Sequence, residues 1–404
     1  MGEAKRRKAG DPFYGTGWSG RDGSKVERHF LDALSEGPGG MAEMEKIARL
    51  RHLKSSFPAK DEEEANLWPD EVFVPSHIMA IATSFQSLRR GGQIPGMSED
   101  DIGHAVVERA FRDNATMSRL AVGMAAWRSG KTIYRFDGDL GQALAETPMD
   151  KEMPVEVLRR LPQYGTYVEV KMGMGEEAKK VLPEVIGMLA YYDMVDQPVN
   201  MSEETQLTMS LVLLPIIDPR QNDSELLREL AAMFLTKPCA AIPLLKGRSV
   251  LECIEIDEYR RGGERDASEE SERRKTWLGF YNMLLNMVLY LCSEEPDVEG
   301  VREGQDARPR RDLGMMEGAV EAWNVGMRIG SVLRKVKADA ERCSEQGEGS
   351  YRVKPHIRTG HYHGYWYGPR SAQARSYRMR WVAPTLVNAE SEADIVTTVR
   401  PVRQ

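Results

Sequence analysis

The segment Pro355-His356-Ile357-Arg358-Thr359-Gly360-His361-Tyr362-His363-Gly364-Tyr365-Trp366-Tyr367-Gly368 holds three of the chain's seven histidines within eight residues, among arginines and aromatic rings. On a strand, side chains alternate between faces, so His361, His363 and Tyr365 share one face and Tyr362, Gly364 and Trp366 the other. Several chemistries fit. His361 and His363 are two possible metal ligands, short of the three or four that a zinc site uses. Imidazoles titrate near neutral pH and suit the acid and base roles of RNA cleavage. A binding surface would place Arg358, Arg370, Arg378 and Arg380 on phosphates, with Tyr365 and Trp366 stacking on bases or packing on a peptide. The bland alternative is an aromatic hairpin packed on the body. Binding is favoured, because seven Tyr or Trp from Tyr351 to Trp381 interleave with seven Lys or Arg between Tyr351 and Asn388, where no Asp or Glu occurs.

A second constellation comprises Trp127, Arg128, Tyr134, Arg135, Asp137 and Leu161-Pro162. Arg135 and Asp137, two apart on a strand, could form a polar pair between aromatic walls. A strand with solvated charges packed on the preceding helix explains the same residues. Elsewhere the chemistry is sparse. Gly326 and Gly330 have GxxxG spacing, which in a water-soluble protein points to close helix packing. Lys171 to Glu176 lacks the Walker lysine and the GxGxxG pattern of nucleotide loops. The sequence contains no GxSxG, HExxH or CxxC. The four cysteines are dispersed and read as reduced core residues. Neither a metal nor a cofactor is expected.

These residues need a scaffold. With 404 residues, 41% hydrophobic and 29% charged, the chain can bury a sizeable core. Its net charge of −7 excludes a generally basic nucleic-acid coat, while the closing segment locally reverses that balance. Leu211 to Ile217 and Met283 to Leu291 are too short to span a bilayer, and the start of the chain lacks the apolar run of a secretory signal, so a cytoplasmic protein is expected.

The expected fold class is α+β, with a helical amino-terminal half, a central mixed or antiparallel sheet, and carboxy-terminal helices plus a basic aromatic β-hairpin module. Residues 1–40 read as a flexible basic, Gly-rich arm, 41–162 as mainly helical, 163–260 as the sheet, 271–345 as helical and 351–404 as the closing module. Within these, Thr132 to Asp137, Tyr167 to Met172, Val185 to Met194, Leu207 to Ile217 and Val250 to Ile256 read as strands. Pro154 is expected to open a helix over Val155 to Leu161. Arg260 to Arg274 and Glu299 to Arg311 read as charged linkers. Trp277, Phe280, Tyr281, Leu284, Leu285, Val288, Leu289 and Cys292 mark one helix face, and a further helix is expected from about Met315 to Cys343.

A family resemblance rests on the start Met1 to Lys8, on Ile133-Tyr134-Arg135-Phe136-Asp137, and on Glu156 to Pro162 followed by Tyr167-Val168-Glu169. It continues through Leu289-Tyr290-Leu291-Cys292-Ser293-Glu294-Glu295-Pro296, Trp323 to Gly330 and Pro355 to Arg370, closing at Arg380-Trp381 and Pro384 to Asn388. Together these resemble the second type V-A anti-CRISPR family of phages and plasmids. The resemblance implies a non-enzymatic inhibitor that lowers production of the type V-A effector nuclease, Cas twelve-a. It would do so by recognising the effector's nascent amino-terminal peptide and promoting loss of its mRNA, with ribosome and message as accompanying partners and no membrane. Binding or cleavage of RNA by the His, Arg and aromatic residues of the closing module is the alternative.

Overall fold

The structure is a computed structural model that describes residues 123–124, 126–127, 130–170, 185–199, 201–217, 240–260, 271–300, 321–345, 356–369 and 375–387. The expected arm over 1–40, the helices expected between 41 and 122, Arg128 and Arg370 lie outside the described residues.

Seven strands form one sheet in the order β5-β4-β3-β2-β1-β7-β6. They are β1 (Thr132–Phe136), β2 (Gly165–Glu169), β3 (Val185–Pro198), β4 (Thr205–Ile217), β5 (Ala240–Pro243), β6 (Val298–Gly300) and β7 (Glu321–Val325). Interior β1 runs parallel to both β2 and β7, while every other pairing is antiparallel. The sheet is therefore mixed. Burial accounts for β1: Ile133, Tyr134 and Phe136 are all in the core, as a strand with neighbours on both edges and layers on both faces requires.

Among the described residues, α1 (Gly138–Ala145), α2 (Val250–Arg260), α3 (Ser271–Cys292) and α4 (Met327–Glu345) accompany the sheet, and residues 123–124 and 126–127 are also helical. Helix α1 starts where Asp137 leaves β1, its carboxylate accepting hydrogen bonds from the backbone N–H groups of Asp139 and Leu140. Pro154 sits just before a 3-10 helix, Val155–Arg160, its ring holding φ at −69° while ψ is extended at 139°. From Tyr281 to Cys292 every residue of α3 except Asn282 is buried, so this part of the helix is covered all round.

Three readings of the sequence are corrected. Val250 to Ile256 is helical, because Ser249 and Glu252 form a reciprocal capping box: Ser249 N–H donates to Glu252 Oε2 at 2.7 Å and Glu252 N–H to Ser249 Oγ at 3.2 Å. Buried Val250, Cys253, Ile254 and Asp257 then follow helical spacing. The expected Met315 to Cys343 helix is divided, since Ala322, Trp323 and Val325 are buried on β7 against β1 and α4 begins only at Met327. The two expected linkers are likewise partly ordered: α2 reaches Arg260, α3 starts at Ser271, and Glu299 lies on β6.

The division at β7 also explains the glycine pair. Gly326 turns the chain from β7 into α4 with φ +78°, and a Cβ there would lie 2.1 Å from Leu140 Cδ2. Gly330 packs on the carboxylate of Asp137, the N-cap of α1, so both glycines let α4 approach that helix closely, as their spacing suggested. Asp297 completes this junction. Its carboxylate accepts from the N–H groups of Arg328 and Ile329 at 2.9 and 3.1 Å, and from Arg328 Nε at 2.6 Å.

One continuous hydrophobic cluster extends from Met124 through the sheet and helices to Tyr362, Tyr377, Met379 and Trp381. The sheet region, the later helices and the closing segment thus share a core.

Candidate functional site

Four short strands make up the closing segment: β8 (His356–Arg358), β9 (His361–Tyr367), β10 (Ser376–Val382) and β11 (Thr385–Val387). β9 pairs antiparallel with β10, His361 opposite Val382 and Tyr367 opposite Ser376. β8 pairs with β11, Arg358 opposite Thr385. The second register continues the first, so the four strands form one two-stranded ribbon with an interruption. Pro384 lies in that interruption and has no N–H to give to the ladder.

The ribbon's inner face is clamped to the body. Tyr362, Tyr377, Met379 and Trp381 are buried. Trp381 Nε1 donates to Thr147 Oγ1 at 3.1 Å, and Tyr362 OH donates to the Asn286 carbonyl of α3 at 2.8 Å. The N–H of Glu294 donates to the Met379 carbonyl at 2.8 Å, and Arg160 donates to the Tyr377 carbonyl. Tyr290 meets the Trp381 ring edge-on, with centroids 5.7 Å apart, and meets Phe136 of β1 at 6.2 Å. Helix α3 is covered all round because it lies between the sheet and this ribbon. Burial pushes the Tyr290 and Tyr362 phenols well above their ordinary range. Gly364 lies under Tyr377, whose hydroxyl would be 1.7 Å from any Cβ there.

The outer face carries His363, Tyr365 and Tyr367, with half-buried His361 at one end. The rings of His363 and Tyr365 lie 5.8 Å apart, and the Arg378 guanidinium sits 3.8 Å above the Tyr367 ring. Tyr365, Trp366 and Tyr367 are 42%, 50% and 56% exposed, which makes three consecutive rings available to a partner. His356, Ile357 and Arg358 are exposed on β8.

The arginines are less available than the sequence implied. Arg378 Nε lies 3.4 Å from Glu294 Oε1, and Arg380 Nη2 lies 2.6 Å from Glu295 Oε2. Arg375 Nη2 donates to the Trp366 carbonyl at 2.9 Å. The two glutamates follow α3 at the end of its apolar pattern. Their roles were not foreseen, because pairing with β10 arises only once the chain has folded.

The second constellation is taken apart by the fold. Trp127 and Tyr134 are fully buried, the first donating through Nε1 to the Thr132 carbonyl at 3.0 Å and the second through its hydroxyl to Gln163 Oε1 at 2.8 Å. Burial, first of all, raises the Tyr134 phenol well above its ordinary range. Arg135 pairs with Glu169 at 2.7 Å, while Asp137, beyond the end of β1, caps α1 and pairs with Arg334 at 2.9 Å. The expected Arg135–Asp137 pair is therefore replaced by two separate ion pairs.

Among the described residues, no group of three or more His, Cys, Asp or Glu is placed to hold a metal ion, and no helix is long and apolar enough to cross a membrane. Among the described residues, several of the segments carrying the family resemblance meet in space. Phe136, Tyr290 and Trp381 form a chain of ring contacts, and Asp137 touches Gly330.

These features define an α+β protein with a central mixed sheet and an aromatic ribbon fixed to its core. Residues 134–389 match the model of the AcrVA2-like family, the anti-CRISPR type V subtype A2 family. The match covers more than half of the chain, which belongs to this family of type V-A anti-CRISPR proteins. Among solved structures, the crystal structure of AcrVA2 aligns with a TM-score of 0.51 at 18% identity, covering 89% of this chain and 100% of that one. That likeness shows a shared fold. Comparison with curated proteins gives no match.

Proposed function

We propose that this protein lowers production of the type V-A effector by recognising the effector's amino-terminal peptide as it leaves the ribosome, which leads to loss of the effector's mRNA. Recognition is by binding, without turnover, in the bacterial cytoplasm where translation occurs. The observation that carries this reading is the pair of exposed rings Tyr365 and Tyr367 on the outer face of a ribbon whose inner face is locked to the core, with half-exposed Trp366 beside Tyr377 at the end of that inner face. A rigid aromatic surface loses little entropy on binding and supplies anchors for a peptide.

Charge favours peptide over RNA. Glu294 and Glu295 offset Arg378 and Arg380, so phosphates on this face would meet two carboxylates and would have to displace them. The test separates production from activity. In a translating extract the protein should reduce newly made effector and its message, and added to purified effector with its guide it should leave cleavage unchanged. Potent inhibition of the preassembled effector would refute the proposal.

A further inference from the structure

Among the described residues, the backbone of the ribbon has one occupied edge and one edge with no strand beside it. On β10, the carbonyls of Tyr377 and Met379 accept bonds from Arg160 and from the N–H of Glu294, neither of which belongs to β9. In an antiparallel ladder the N–H and C=O of one residue point to the same side, and opposed residues share their bonding type. Tyr377 is opposite Trp366 and Met379 is opposite Gly364. The peptide groups of Trp366, Gly364 and, by alternation, Tyr362 therefore point away from β10. Arg375 takes the Trp366 carbonyl. The N–H and C=O groups of Tyr362 and Gly364, and the N–H of Trp366, face an edge with no further strand among the described residues.

The sequence of this edge is unguarded. His361 to Tyr367 contains no Lys, Arg, Asp, Glu or Pro, the residues that usually protect an exposed strand from pairing. Charge within the segment from β8 to β11 is itself of one sign, while Glu294 and Glu295 from outside it pair with Arg378 and Arg380 of β10. Between Tyr351 and Asn388 there is no acidic residue, and among the described residues neither Arg358, before β9, nor Arg375, beside Trp366, has a carboxylate partner.

We infer that β9 binds its peptide by strand addition: an extended segment pairs with the open edge at Tyr362, Gly364 and Trp366, with carboxylates flanking the paired stretch near Arg358 and Arg375. Alternate side chains of the added strand lie beside His363 and Tyr365 on the outer face, and the intervening ones lie beside Trp366. This rests on the peptide-recognition reading above and specifies its geometry.

Backbone methylation of the peptide tests it with the full-length protein. Synthetic peptides carrying the effector's amino-terminal residues, each N-methylated at one position, are titrated by fluorescence anisotropy. Strand addition predicts a period of two: methylation at alternate positions weakens binding about tenfold or more, and at the positions between by less than about threefold. Hydrogen exchange at the Gly364 amide should slow when unmethylated peptide binds. A peptide that binds with uniform tolerance, or with the three-to-four residue period of a helix, overturns strand addition and leaves peptide recognition standing. An unmethylated peptide that does not bind overturns both.

Discussion

Replacing Gly330 with Ala puts the reading of the glycine pair at risk. Gly330 lies within α4, where Ala is favoured over Gly by about 1 kcal/mol on helix propensity alone. In this fold the new Cβ would lie 2.0 Å from Asp137 Oδ1 and 2.3 Å from Asp137 Cγ. The carboxylate would have to retreat from a position where it accepts from Asp139 N–H at 3.0 Å and from Arg334 Nη1 at 2.9 Å. Losing the cap costs about 1 kcal/mol. The Arg334 pair is half exposed on the arginine side and contributes only a few tenths more, on the order of 0.5 kcal/mol. Overpacking adds about 1 to 3 kcal/mol. The net expectation is a loss of roughly 1.5 to 3.5 kcal/mol, opposite in sign to propensity. Urea unfolding followed by far-ultraviolet circular dichroism should show a lower midpoint at unchanged slope. In an Asp137→Ala background the obstruction is gone, and the same substitution should be neutral or stabilising by up to about 1 kcal/mol. A raised midpoint for Gly330→Ala in the otherwise unchanged protein would refute the argument.

The clamp of the ribbon should appear in a double-mutant cycle: Trp381→Phe and Thr147→Val should couple by about 1 kcal/mol in urea unfolding, and a coupling near zero would remove that hydrogen bond from the account. Alkaline pH should destabilise the fold, because the Tyr134, Tyr290 and Tyr362 phenols are raised by burial, so above pH ~10 the unfolded chain loses protons that the native state keeps. Each contributes a slope of about 1.4 kcal/mol per pH unit over that window, and Tyr362→Phe should flatten the fall in stability between pH ~10 and ~11. Trp366→Ala should weaken peptide binding by about 2 kcal/mol while shifting the unfolding free energy by less, since the ring is half exposed; equal losses in both would make Trp366 a packing residue.

The legible parts of the fold were those set by local pattern. The apolar spacing from Trp277 to Cys292 gave α3, the β-branched and Leu-rich runs gave β3 and β4, and alternation in His361 to Trp366 gave β9 and its faces. Val250 to Ile256 misled because a short apolar run fits strand or helix equally, and the deciding signal was the Ser249 and Glu252 capping box. Strand β7 was hidden because its partner is distant in sequence: Trp323 pairs with Tyr134, and no local feature reports a parallel contact of that range. The closing segment stood out in the sequence for the same reason that part of it was misread. The His, Arg and aromatic types are local, whereas the neutralisation of Arg380 by Glu295 spans 85 residues.

The most direct test of the central claim compares two recoded effector messages in a translating extract containing this protein. One changes only synonymous codons at the start of the reading frame, and the other changes the encoded amino acids. The account predicts that effector production and message still fall with the synonymous message, and that both are spared when the amino acids are altered. Loss of the effect on synonymous recoding, or its persistence when the amino-terminal residues are replaced, would contradict recognition of the nascent peptide.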